Sequence, residues 1–236
     1  MVIEICCSSI NSVKNAMNYG ANRIELCQDL TNDGITPSKA LLNSAIKIST
    51  LPINVLIRPR IGDFFYDSEE IKLIEDEIKN IKSLPINGIV IGVLNRKNDL
   101  PINILKKLVE MIKPIDITFH RAFDLLKNPI ESMNKLSEIG FDRILTSGQS
   151  DTAENGLKML LELKQKANGK ISIMPGGGIN ENNCHVFLKN GFNEIHLSAK
   201  KKKKENKIEP IADPEIIKKV VSSSLSYKTK NTFNLF

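Results

Sequence analysis

The stretch DITFHRAFD, residues 116–124, alternates apolar and polar side chains and then runs into a histidine, an arginine and an aspartate. Side chains alternate across a β-strand, so Ile117 and Phe119 share one face while Thr118 and His120 share the other. Asn128-Pro129 then opens a segment of helical period, near 129–139, that ends at Gly140. A short strand whose polar face ends in chemically active residues, followed by an amphipathic helix, is one βα unit.

The same unit recurs along the chain. Strand runs are VIEIC (2–6), RIELC (23–27), NVLIRPR (54–60), GIVIGV (88–93), DITFHR (116–121), RILTS (143–147), ISIMP (171–175) and EIHLS (194–198). Helical patterns lie near 10–19, 37–49, 68–83, 101–112, 129–139, 151–167, 180–190 and 214–223, several opening on Pro or a capping residue, as at Thr36-Pro37, Asp67 and Asp213-Pro214. Eight βα repeats without an interrupting segment predict an α/β fold, a single (β/α)8 TIM-type barrel. Element order alone does not establish closure, so a doubly wound open sheet is the alternative. The expected organisation is one barrel domain over 1–236: core 2–199, a basic loop 200–207, and a C-terminal helix with a short tail.

Composition narrows the function classes. A hydrophobic fraction of 41% suits a full core. No window approaches the ~20 apolar residues of a membrane span, and the start MVIEICCSSI carries an acid and thiols where a secretory leader is basic and apolar. A cytoplasmic protein without membrane partners is expected. Cys6, Cys7, Cys27 and Cys184 lack the density of a disulfide framework and are expected as thiols. The net charge of +6 invites a nucleic-acid reading, but only six of the 33 basic residues are arginines. The lysines scatter over helix surfaces, except at 200–204, without interleaved aromatic rings, so nucleic acid is not an expected partner.

Strand parity gives the candidate site. With apolar residues facing the helices, the lumen receives Glu4 and Cys6 from the first strand, and Arg23, Glu25 and Cys27 from the second. The third gives Arg58 and Arg60, the fifth Thr118 and His120, and the eighth Glu194, His196 and Ser198. Barrel chemistry collects at the C-terminal strand ends, where Cys6, Cys27, Arg58, Arg60, His120 and His196 fall. Glu4 with Arg23 also fits a plain ion pair. Two arginines on one strand end need anions, from protein carboxylates or from a ligand. In MPGGGINEN (174–182), Gly176, Gly177 and Gly178 with Ser198 of the next loop suit an anion cradle; a tight turn is the other reading. Cys6 and Cys27 occupy matching inward positions on adjacent strands and can either pack as small apolar groups or hold a soft ion such as Cu(I).

Together the blocks EICC (4–7), GANRIELC (20–27), GITPS (34–38), RPR within 57–66, VIGVL (90–94), TFHRAFD (118–124), RILTSGQ (143–149), MPGGGI (174–179) and EIHLSA (194–199) resemble the CutC family of copper homeostasis proteins. The resemblance implies a TIM-type barrel, a cytoplasmic location, self-association as a homodimer or higher homo-oligomer, and copper handling through Cu(I). It implies Cys6 and Cys27 as metal ligands. Ile61-Gly62 stands where the family usually has two glycines, and a lysine-rich stretch replaces a longer segment after the eighth strand. The alternative function is a TIM-barrel enzyme acting on a small anionic substrate, a phosphorylated one included. In that reading Arg58 and Arg60 clamp the anion, Gly176–Gly178 and Ser198 cradle phosphate, and Glu25 and His120 exchange protons as catalytic groups.

Overall fold

The computed structural model describes residues 1–201 and 210–233, with side chains to Tyr227. Eight strands alternate with eight helices among these residues. The strands are β1 Val2–Cys7, β2 Arg23–Leu26, β3 Ile53–Leu56, β4 Gly88–Ile91, β5 Asp116–Phe119, β6 Arg143–Thr146, β7 Ser172–Pro175 and β8 Glu194–Leu197. The helices are α1 Ile10–Asn18, α2 Lys39–Ile48, α3 Ser68–Lys82, α4 Ile102–Ile112, α5 Pro129–Ile139, α6 Leu157–Ala167, α7 Cys184–Lys189 and α8 Pro214–Phe233.

All ladders are parallel, and the strand order is β7-β6-β5-β4-β3-β2-β1-β8. A parallel bridge between Gly176 and His196 brings β7 against β8. The sheet is therefore rolled into a nearly closed (β/α)8 barrel, which excludes the open-sheet alternative.

Local chemistry explains the elements. Ser9 and Ser38 cap α1 and α2 by accepting the N–H of Ser12 and Leu41. Asp67 and Glu70 form a reciprocal capping box at α3, satisfying orphan N–H groups at both positions. Gly140, at φ 109, ends α5 in the left-handed region that glycine enters without cost.

Two apolar layers separate by strand parity. Ile3, Ile5, Ile24, Leu26, Val55, Ile57, Ile117, Phe119, Ile195 and Leu197 join the helices in one large buried cluster. Cys6, Cys27, Leu56 and Val90 form a second, small cluster inside the barrel. Each outward Ile or Leu buried against the helices contributes about 1.5–3 kcal/mol.

Some boundaries differ from the sequence reading. β3 stops at Leu56 rather than 60, because Arg58 exchanges its N–H and C=O with Thr36 of the loop after β2 instead of continuing the ladder. α6 begins at Leu157 rather than 151: Gly156 packs so closely on Ser147 that a Cβ there would lie 1.9 Å from its carbonyl oxygen, and the preceding residues form turns. α7 starts at Cys184, after a turn over residues 180–183. α8 runs to Phe233, ten residues beyond the apolar pattern, with Ser223 and Ser226 bonding back to the carbonyls of Lys219 and Ser222. Of the expected basic loop 200–207, residues 202–207 lie outside the described residues.

Candidate functional site

The lower lumen is a closed ion network. Arg23 bonds Glu4 through Nε and Glu194 through Nη2, the latter at 2.6 Å. Arg143 bonds Glu194 at 2.7 Å and Thr118 Oγ1 at 3.1 Å. Asn54 donates to Glu4 at 3.0 Å, and Ser172 donates to Glu194. Burial works against the Glu4 carboxylate, but His196 and Arg23 bring it down to about 2. Glu4 and Arg23 thus act as the structural ion pair that the sequence allowed.

Above this layer stand the thiols. Cys6 and Cys27 occupy neighbouring positions on β1 and just past β2, with Sγ atoms 3.4 Å apart and both buried. Cys6 Sγ also lies 3.4 Å from Glu25 Oε1, toward which its thiol donates. His196 on β8 reaches in beside them, its Nδ1 2.8 Å from Glu4 Oε1. Donor atoms of Cys6, Glu25 and His196 all lie within 4.8 Å of one another. The Cys27 bond, followed by burial, pushes the Cys6 thiol well above its usual range. Burial raises Glu25 as well. Burial opposes the His196 imidazolium, yet Glu25, Cys6 and Glu4 together hold it well above an ordinary histidine. Cys7 faces the helix layer, and Cys184 is buried on α7; both are free thiols outside this group.

A second group gathers beyond β3 and β5. Arg58 is buried, with Nη1 on the carbonyl of Gly34 at 2.8 Å and Nη2 on that of Gly62 at 2.9 Å. Its guanidinium lies 5.0 Å from the centre of the Phe64 ring, and the His120 ring lies 4.8 Å from the same centre. His120 rests over Gly92, where a Cβ would come within 2.3 Å of the imidazole. Burial, then Arg58, lowers His120 to about 3, so the ring is neutral. No hydrogen bond joins Glu25 to His120; the two belong to different groups.

Arg60 does not point into the lumen as strand parity suggested. With β3 ended at Leu56 the alternation no longer applies, and its guanidinium turns to the start of α3, bonding Glu70 at 2.5 Å and Asp63 at 3.0 Å. Its counter-charges are protein carboxylates. In the glycine loop, Gly177 and Gly178 have φ of 103 and 74, and their carbonyls accept from Ala153 N–H and from Asn183, respectively. A Cβ on Gly177 would lie 3.2 Å from the Arg121 guanidinium. Ser198 follows β8, half-buried.

The sequence reading gave Tyr66 no role and named Asp124 without assigning it one. Tyr66 sits on a loop, where no period assigns a face. Asp124 accepts from the hydroxyl of Thr146 and from the N–H groups of Ser147 and Gln149, while Arg121 bonds Asp124 at 2.9 Å. It therefore ties the end of TFHRAFD to the loop of RILTSGQ; two motif blocks at adjacent strand ends were the available signal.

The architecture defines a class: a parallel (β/α)8 barrel with two thiols, a carboxylate and an imidazole grouped among its C-terminal strand ends. The CutC family model matches residues 1–201. A CutC family protein of Pasteurella multocida is 41% identical over 201 residues, covering 85% of this chain and 82% of that protein. A solved CutC structure from Streptococcus agalactiae, named for copper homeostasis, superposes with a TM-score of 0.79 at 27% identity, covering 84% of this chain and 98% of that one. A thiamine phosphate pyrophosphorylase from Pyrococcus furiosus has a TM-score of 0.60 at 16% identity, covering 96% of each chain, and shares the fold alone. The chain belongs to the CutC family. No helix among the described residues is long and apolar enough to cross a membrane.

Proposed function

We propose that this chain is a cytoplasmic, self-associating copper-homeostasis protein that binds Cu(I) between Cys6 and Cys27. The observation that carries the reading is the 3.4 Å separation of two buried, unoxidised sulfurs on neighbouring strands. Soft thiolate donors favour Cu(I), which accepts few ligands, over hard cations that require oxygen cages. His196 and Glu25 stand at the same place as further donors, and Glu4 would orient the imidazole from behind, as second-shell carboxylates do. Cys6 holds its proton firmly, so metal uptake releases protons and strengthens as pH rises. The copper-homeostasis name of the Streptococcus agalactiae relative points the same way.

X-ray absorption at the copper edge on protein loaded anaerobically with Cu(I) tests the reading. Two sulfur neighbours are expected. A first shell of nitrogen and oxygen alone overturns it. Size-exclusion chromatography with light scattering checks self-association, for which a mass above that of one chain is expected.

A further inference from the structure

Among the described residues, one buried carboxylate oxygen has no hydrogen-bond partner, Oε2 of Glu25. The two carboxylates of the lower lumen are served at both oxygens, Glu4 by His196, Arg23 and Asn54, and Glu194 by Arg143, Ser172 and Arg23. Glu25 is 5% exposed, so bulk water does not serve it, and folded proteins rarely leave such a group unmet. Its other oxygen faces Cys6 Sγ at 3.4 Å. Cu(I) held by two sulfurs would leave this carboxylate as it is.

The donors around Glu25 suit an ion that uses it. Among the described residues, Cys6, Glu25 and His196 are the one set of three thiol, carboxylate or imidazole side chains whose donor atoms all lie within 4.8 Å of one another. A carboxylate only accepts, so His196 Nδ1, 2.8 Å from Glu4, carries a proton. In the neutral ring that a metal requires, Nε2 then keeps its lone pair. Zinc bonds sulfur at about 2.3 Å and oxygen at about 2.0–2.2 Å, so a tetrahedral site has sulfur–oxygen edges of about 3.5 Å and sulfur–sulfur edges of about 3.8 Å. Cys6 Sγ meets Glu25 Oε1 and Cys27 Sγ at 3.4 Å each, close to those lengths. Calcium and magnesium require cages of oxygen, and the set supplies a single carboxylate. A divalent ion also cancels one more of the negative charges buried here than Cu(I) does.

We propose that Cys6, Glu25 and His196, with Cys27 at the fourth corner, form a site for a divalent ion of borderline softness such as zinc, and that Glu25 is the ligand that favours it over Cu(I). The site shares its sulfurs with the copper reading and does not depend on copper being bound. The His196 side chain is 12% exposed, so the group borders solvent.

The test titrates the full chain, reduced and metal-free, with Zn(II) and separately with Co(II), each in anaerobic competition with a chromophoric chelator. One ion per chain is expected to bind. The Co(II) form is expected to show the intense visible bands of tetrahedral coordination, with a sulfur-to-cobalt band in the near ultraviolet, which tests the ligand set without any substitution. Glu25→Gln keeps the shape of the side chain and is expected to weaken Zn(II) binding at least tenfold, and more than it weakens Cu(I). Absence of Zn(II) binding, a weak octahedral Co(II) spectrum, undiminished Zn(II) affinity in Glu25→Gln, or an equal fall for both ions overturns the proposal. Cu(I) uptake by the parent is read separately, so zinc binding without copper, or copper without zinc, shows which of the two readings fails.

Discussion

His120 makes the stability of this protein sensitive to acid, by an amount that follows from its burial. The folded ring holds off a proton until about pH 3, against 6.5 for an exposed histidine. Below pH 6.5 the unfolded chain therefore binds one more proton at this position than the folded chain does. Stability falls as pH falls, by about 1.4 kcal/mol per pH unit between those two values. Between pH 6.5 and 5 the loss is roughly 2 kcal/mol, a large part of the stability of an ordinary domain. His120→Asn isolates the effect: its amide oxygen can take the Ala122 N–H while its side chain does not titrate. Urea unfolding at pH 7 and pH 5 is expected to show the parent losing about 2 kcal/mol more than the variant. Equal losses in the two proteins would mean that the ring is not held neutral.

Two further expectations concern the barrel itself. Arg23→Met takes one cationic partner from each of two buried carboxylates, leaving Glu4 to His196 and Glu194 to Arg143, and is expected to cost about 3 kcal/mol in chemical denaturation. Asp124→Asn removes the charge that holds the loop after β6 through Thr146, Ser147 and Gln149. Faster proteolytic nicking within residues 147–156 is expected, with a loss of about 1–3 kcal/mol, and an unchanged cleavage rate would contradict that role.

The sequence made the barrel readable because each βα unit carries its own evidence of period: alternation in the strand, a 3.6-residue stripe in the helix, and Pro, Ser or Gly at the junctions. Parity was reliable wherever the ladder persisted. It set Ile5 and Cys7 against the helices, and brought Cys6, Cys27, Glu25 and His196 into one neighbourhood. It failed at Arg60, four residues beyond the end of β3, where the nearest carboxylates rather than the pleat decide direction. Tyr66 could not be placed for the same reason, since its position depends on how the loop folds back over Arg58. The late start of α6 depends on the contact of Gly156 with Ser147, which no local pattern encodes. Separation of the rim into a thiol group and an Arg58–Phe64–His120 group likewise required the packing of Phe64 against Arg58 and His120.

The most direct measurement on the central claim is an anaerobic competition between the protein and a chromophoric Cu(I) chelator, run on the parent and on Cys6→Ser/Cys27→Ser. The parent is expected to withdraw one Cu(I) per chain from the chelator, and the double variant to withdraw none. Equal withdrawal by the two proteins would place copper elsewhere and contradict the account.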